Sequence, residues 1–305
     1  MATGDGSTTP LALPRRDPSS RGPIGRVTYA VWDFTKKKPI GALSALVIVL
    51  LVILAVIGPS IAPYDPRAGN AARALQGPSL ETPLGADHIG RDMLSRLLYG
   101  AQASVRVSLG AVLIGSVFGV LLGTVSGYIE GVFDAVIQRF VDALMAVPLI
   151  IIAIMLISLT SPTLNNLIIA LSIAIIPRAS RVARGSTLAV KHEVYIDAAN
   201  AIGATHTRII RSHILPNIFA PIIVLFSVTM GGAITAEAAL SFLGLGPPAL
   251  ISWGGMLSSE GRQYMRIAWW MAVFPGLAIM FTVLAFNMLG DALRDVLDPR
   301  LRGSR

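Results

Sequence analysis

Cysteine is absent from the 305 residues, which excludes disulfides, thiolate chemistry and cysteine-ligated zinc. Charge is scarce as well: 14% of the residues are Asp, Glu, Lys or Arg, where soluble domains carry about 25%. No GxxxxGK[ST] run occurs, so the chain has no phosphate-cradling loop of its own and is not itself an ATPase. What is abundant is apolar side chain, 53% of the total, gathered into runs near the ~20 residues that cross a bilayer as a helix. A soluble domain is excluded, and an all-α integral membrane protein is expected.

The runs lie at about 40–62, 104–128, 143–159, 164–176, 218–245 and 267–289, which predicts six transmembrane helices. The first could be mistaken for a cleaved signal peptide ending at Ser60-Ile61-Ala62, but an apolar region of that kind is ~7–15 residues long behind a short basic start. It reads as a retained span. The second run carries Gly115, Gly119, Gly123 and Gly127 at a strict interval of four, along one helical face. Small residues so spaced let two membrane helices approach backbone to backbone, so this helix is expected to pack tightly. The fourth run is short for a span and ends at Pro177-Arg178; Arg178 and Arg181 would have to snorkel.

Lys and Arg set the orientation. With the N-terminus inside, the inner segments hold 18 of them against six outside, or seven counting Arg106. Both termini are therefore expected in the cytoplasm of a multi-pass cell-membrane protein. The net charge of +8 is then a matter of topology and lipid headgroups, with no nucleic acid partner. The chain divides into a flexible basic cytoplasmic tail (1–38), a first transmembrane helix with an external segment (39–102), a transmembrane core (103–295) containing a cytoplasmic loop at 184–217, and a short cytoplasmic tail (296–305).

The 184–217 loop is the most informative segment. Val190, Val194, Ala198 and Ile202 recur every four residues and predict one amphipathic helix over 188–202. Gly203 follows where a left-handed C-cap favours glycine, Thr205 can cap a second short helix through Ile214, and Pro216 can open another. Such a loop could grip a partner or lie on the membrane. The residues Asp197-Ala198-Ala199, three residues, Gly203, nine residues, then His213-Ile214-Leu215-Pro216 resemble the EAA loop of binding-protein-dependent ABC importer permeases. Asp197 stands where that pattern has Glu, and His213 where it has Ile.

The resemblance extends to Pro83 through Ala101 and to Ala236 through Gly246, which are similar to the C-type subunit of the dipeptide/oligopeptide permease branch. It implies a type I ABC importer permease fold, with Asp197, Ala198, Ala199, Gly203, Ala204, Thr205, His206, Leu215 and Pro216 forming the contact with an ATPase. It also implies three kinds of partner: a homologous second permease, two ATPase subunits that carry the ATP and Mg, and an extracytoplasmic substrate-binding protein. No cofactor is expected on this chain. Di- or oligopeptide import is the expected function; nickel, glutathione and oligosaccharide are cargoes of the same branch. An ion-driven secondary transporter would need charges near the membrane midplane, and the runs have almost none.

His88, His192, His206 and His213 show no metal-ligand spacing, so no metal site is expected. Glu237 lies about 30 Å along the fifth run from Asn217, which suggests a residue near the outer surface bracing the Pro247-Pro248 loop. Trp253, Trp269 and Trp270 read as an interfacial belt. For Asp87, Arg91 and Asp92, loop bracing and docking of a binding protein are equally open readings.

Overall fold

The computed structural model describes residues 32–297. The ends of the expected tails, 1–31 and 298–305, lie outside the described residues. Residues 32–39 belong to a unit separate from the rest, in which 32–37 make a helical turn with Lys37 Nζ 2.6 Å from Asp33 and Lys36 above the Trp32 ring.

The rest is helical, with no strand among the described residues. The first long helix, α1 (Pro39–Ile61), leads into an irregular segment at 62–92. Asp92 caps α2 (Met93–Ile129) by accepting from the Ser95 amide at 2.7 Å. The helix thus begins about ten residues before the apolar run, and the expected boundary at 102/103 falls inside it. Glu130 and Gly131, both with positive φ, turn the chain sharply into α3 (Gly131–Met145). Pro148 has no N–H to continue a helix, and α4 (Leu149–Ser158) leaves α3 at 86°. Then come α5 (Leu164–Lys191), α6 (Val194–Ala201), α7 (His206–Ile209), a π-turn over Ile210–Ile214, α8 (Leu215–Phe242), two short helices α9 (Trp253–Leu257) and α10 (Ser259–Gln263), and α11 (Trp270–Leu297).

Five of these helices are long and apolar enough to cross a membrane, or six spans if the bent pair α3–α4 counts as one. The expected fourth span differs: α5 does not stop at Pro177 but runs through it for 28 residues. A proline inside a membrane helix is tolerated where neighbours re-satisfy the backbone, and Pro177 is buried against other helices. Length is then no obstacle to crossing.

The most extensive pairing is α2 with α5. The four spaced glycines form its seam. A Cβ on Gly115 would sit 2.7 Å from the Ser172 carbonyl, one on Gly119 2.7 Å from the Ile176 carbonyl, and one on Gly127 3.1 Å from the Arg184 carbonyl. One on Gly123 would run into the Ser180 carbonyl. No side chain larger than hydrogen fits without moving a backbone. The main core then fills with Val107, Ala111, Val112, Leu167, Leu171, Met230, Ile234 and Leu240 from α2, α5 and α8.

Candidate functional site

The 184–217 segment is built by local rules that break twice. Lys191 ends α5, His192 caps it, and Glu193 in extended conformation restarts the chain as α6. The single amphipathic helix expected over 188–202 is therefore two pieces, and the break shifts their faces. Ile196 and Ala199 are buried, whereas Val194 is 80% and Ile202 86% exposed. Of the predicted stripe, Val194, Ala198 and Ile202 are exposed, whereas Val190, on α5, packs on the core beneath the loop.

Beyond α6, Gly203 adopts φ +82°. Its amide donates to the Asn200 carbonyl at 2.9 Å and that of Ala204 to the Ala199 carbonyl at 3.0 Å, the paired bonds of a Schellman C-cap. Thr205 then caps α7, its hydroxyl accepting from the Arg208 amide at 3.4 Å. Ile209, Ile214 and Ile218 are wholly buried and, with Ile196, Ala199 and Tyr128, make a second core under the loop. Their spacing of five and then four fits an α-helix poorly, but the π-turn between them inserts the extra residue that brings all three to one side. Leu215 and Pro216 form the first turn of α8, with Leu215 packed on this core and Pro216 exposed.

Among the residues implied by the resemblance, Asp197, Ala198, Gly203, Thr205 and His206 are exposed, Ala204 and Leu215 are half-buried, and Ala199 is buried. His206 is also anchored, with Nδ1 2.8 Å from the Tyr128 hydroxyl at the end of α2. Lys191 Nζ donates to the Tyr128 carbonyl at 2.8 Å and to Glu130 Oε1 at 2.6 Å. Sequence reasoning missed Tyr128, Glu130 and Lys191, because partners separated by more than sixty residues leave no local signal. The uneven isoleucine spacing was the one readable hint of the floor beneath them.

The Lys191 ammonium, by hydrogen bond and by charge, holds Glu130 below the usual carboxylate range. A lowered folded value means that the pair supports the loop at neutral pH and that this support is lost as pH falls through that value. Corrected for the intrinsic pH dependence of hydrogen exchange, the protection of residues 192–209 should therefore fall on acidification below about pH 4. Glu130→Gln should show the lower protection already at neutral pH, with little further change in acid. Two more ion pairs lock α3 to α5: Arg184 grips both Asp134 oxygens at 2.7 and 2.5 Å, and Arg181 pairs with Asp142.

At the opposite end of α2, the 62–92 segment folds over the bundle. Asp87 is 1% exposed; its Oδ1 accepts from the Ile89 and Arg91 amides at 3.0 and 2.9 Å, and its Oδ2 meets Arg91 Nε at 2.5 Å and Arg96 Nη1 at 3.6 Å. Of the two readings open for Asp87 and Asp92, the contacts are those of loop bracing. Trp270 Nε1 donates to the Ala86 carbonyl and Trp253 Nε1 to the Leu97 carbonyl, each at 3.0 Å. Both indoles are buried, so the expected aromatic belt reduces to Trp269, because the small Gly85 and Gly100 make room for the other two rings inside the fold. Glu237 is fully buried, with Oε1 accepting from the Ser241 hydroxyl at 2.8 Å, rather than at a surface. The four histidines lie against different partners, and no three His, Cys, Asp or Glu side chains cluster as a metal would need among the described residues.

Residues 119–303 match the family described as binding-protein-dependent transport system inner membrane component, and residues 29–78 match the N-terminal transmembrane domain of oligopeptide transport permease C. A Brucella suis permease protein named for a peptide transport system is 44% identical over 259 residues, covering 84% of this chain and 87% of the relative. The glutathione transport system permease protein GsiD of Escherichia coli O1:K1 is 43% identical over 277 residues, covering 90% and 91%. In fold, the chain is similar to a chain of the inward-facing MetNI methionine ABC transporter, with a TM-score of 0.57 at 19% identity over 68% of this chain and 98% of that one.

Proposed function

Since the chain belongs to the family of binding-protein-dependent transport system inner membrane components, we propose that it forms half of the translocation pathway of an ATP-driven importer of di- or oligopeptides. A homologous permease supplies the other half. Two ATPase subunits, which carry the ATP and Mg, dock on the 184–217 loop, and a substrate-binding protein delivers the cargo at the end covered by residues 62–92. The loop and both termini then lie in the cytoplasm, in keeping with the distribution of Lys and Arg. Peptide cargo is supported by the relatives' names, and glutathione is a second cargo reading favoured by the 43% identical relative named for it.

The observation that carries coupling is the exposed apolar face of α6. Val194 and Ile202 stand out from a loop whose other side is fixed by buried isoleucines and by the Tyr128–His206 hydrogen bond. Apolar side chains held rigidly in the open mark a surface built for a partner. A docked ATPase that binds one arrangement of the bundle more tightly than another would bias it between inward- and outward-open states.

Ile202→Glu tests this with little risk to the fold, since an exposed substitution of this kind changes stability by about 0.5 kcal/mol or less. Membrane insertion and thermal stability should match the parent, while ATP-dependent uptake should fall about tenfold or more, equivalent to ~1.4 kcal/mol of lost coupling. Gly203→Asp, which places a charge at the same knuckle, should lose uptake as well, with an added loss of stability because Gly203 holds φ +82°. Undiminished uptake in both variants would remove the loop from the energy path.

A further inference from the structure

α5 carries three arginines in succession, and two of them are paired: Arg181 with Asp142 and Arg184 with Asp134. Arg178 is different. Its guanidinium has neither an ion-pair nor a hydrogen-bond partner among the described residues, although it sits mid-helix, about 20 Å from either end of α5 at ~1.5 Å per residue. It lines an open-sided cavity of about 530 Å³ between α4, α5, α8 and α11. No carboxylate lines that cavity. Arg178 is exposed where it lines that cavity, and an ionisable group on a membrane-spanning helix is a functional candidate.

The rest of the lining says what the cation is for. Facing it are the amide of Asn287 and the hydroxyl of Thr229, on two different helices, neither with a side-chain partner among the described residues. The α8 wall is built mainly of small residues, with Thr229, Gly232 and Thr235 at intervals of three. Leu149, Ile150, Ile175, Val228 and Val283 supply the apolar remainder of the lining. A guanidinium fork beside amide and hydroxyl donors, in a site without anions, matches a planar carboxylate by geometry as well as charge.

We propose that Arg178, with Asn287 and Thr229, forms a transient station inside the bundle for the free carboxylate of the passing solute, the C-terminal carboxylate when the solute is a peptide. The inference rests on the peptide-import reading above for the identity of that carboxylate. A cation without a fixed counter-ion suits transit, because the ligand can leave again without displacing a salt bridge.

The test uses the whole transporter, purified with its accompanying subunits and placed in nanodiscs of zwitterionic lipid. Phenylglyoxal, which modifies accessible arginine, is applied, and the rate at Arg178 is followed by peptide mass mapping. Trialanine should slow modification about tenfold, and trialanine amide at the same millimolar concentration should not. Equal protection by both, or by neither, overturns the station. Anionic lipid is the other source of such an anion: if nanodiscs containing it protect Arg178 in the absence of peptide and trialanine adds nothing, the guanidinium serves a headgroup and the proposal fails. ATP-driven uptake of a mixed peptide pool into proteoliposomes reports separately on the import reading. Uptake without selective protection sinks the station alone, and selective protection without uptake sinks peptide import while leaving a carboxylate site.

Discussion

Gly123→Leu should remove the folded protein from the membrane. The atoms that a side chain would meet are the backbone of Ser180, which cannot swing aside as a flexible side chain could. Either α2 and α5 separate along the seam from Gly115 to Gly127 or one of them deforms. Overpacking in ordinary cores costs about 1–3 kcal/mol and occasionally more, and here the cost should lie at or above the upper end, because the most extensive helix pairing of the fold is what must open. The control is Gly185→Ala on α5, where an added Cβ meets nothing within 4 Å. That change should be neutral or stabilising by up to about 1 kcal/mol through helix propensity. Thermal unfolding in detergent, read for both variants beside the parent, separates a packing effect from mere loss of glycine.

A comparable loss is expected from Asp87→Ala, at the other end of the molecule. The Asp87 carboxylate is the buried counter-charge of Arg91 and Arg96 and at the same time accepts two backbone amides of its own turn. Removing one partner of a buried ion pair costs about 3–5 kcal/mol, chiefly because the remaining charge keeps its desolvation and loses its compensation. The turn also contains Gly90 at φ +80°, a conformation that other residues adopt only at a cost. Asp87→Asn retains an acceptor for the turn and should lose less. Limited proteolysis within residues 62–92 measures the difference: rapid nicking in the alanine variant, intermediate in the asparagine variant, slow in the parent. Identical rates in all three would mean that the segment is held by its tryptophans alone.

What could be read from the sequence was what depends on near neighbours. Gly203 as a left-handed cap and Thr205 as the start of α7 follow from one or two residues and are found where the local chemistry puts them. Pro177 misled, because a breaker in water is tolerated among packed membrane helices. The stripe Val190, Val194, Ala198, Ile202 is split between α5 and α6, with Val190 half-buried and the other three exposed. Periodicity locates a face without saying whether core or partner covers it, and the break at His192-Glu193 re-phased the two halves. The indoles of Trp253 and Trp270 were assigned to lipid because their acceptors, the Leu97 and Ala86 carbonyls, lie more than 150 residues earlier. Arg178 could be seen as a charge at the end of an apolar run, but its lack of a partner is a fact of three dimensions.

The unbroken length of α2 has a mechanical consequence. At ~1.5 Å per residue its 37 residues make a rod about 55 Å long, with Asp92 in the 62–92 fold at one tip and Tyr128, bonded to His206, at the other. The glycine seam fastens the half nearer Tyr128 to α5, so a push on the loop is delivered to a stiff two-helix beam rather than to a flexible strand. Tilting such a rod by about 5° around its middle carries each tip ~2.4 Å, in opposite directions. Leverage of that kind lets a small displacement at one face of the membrane be felt at the other without any residue along the way changing its fold.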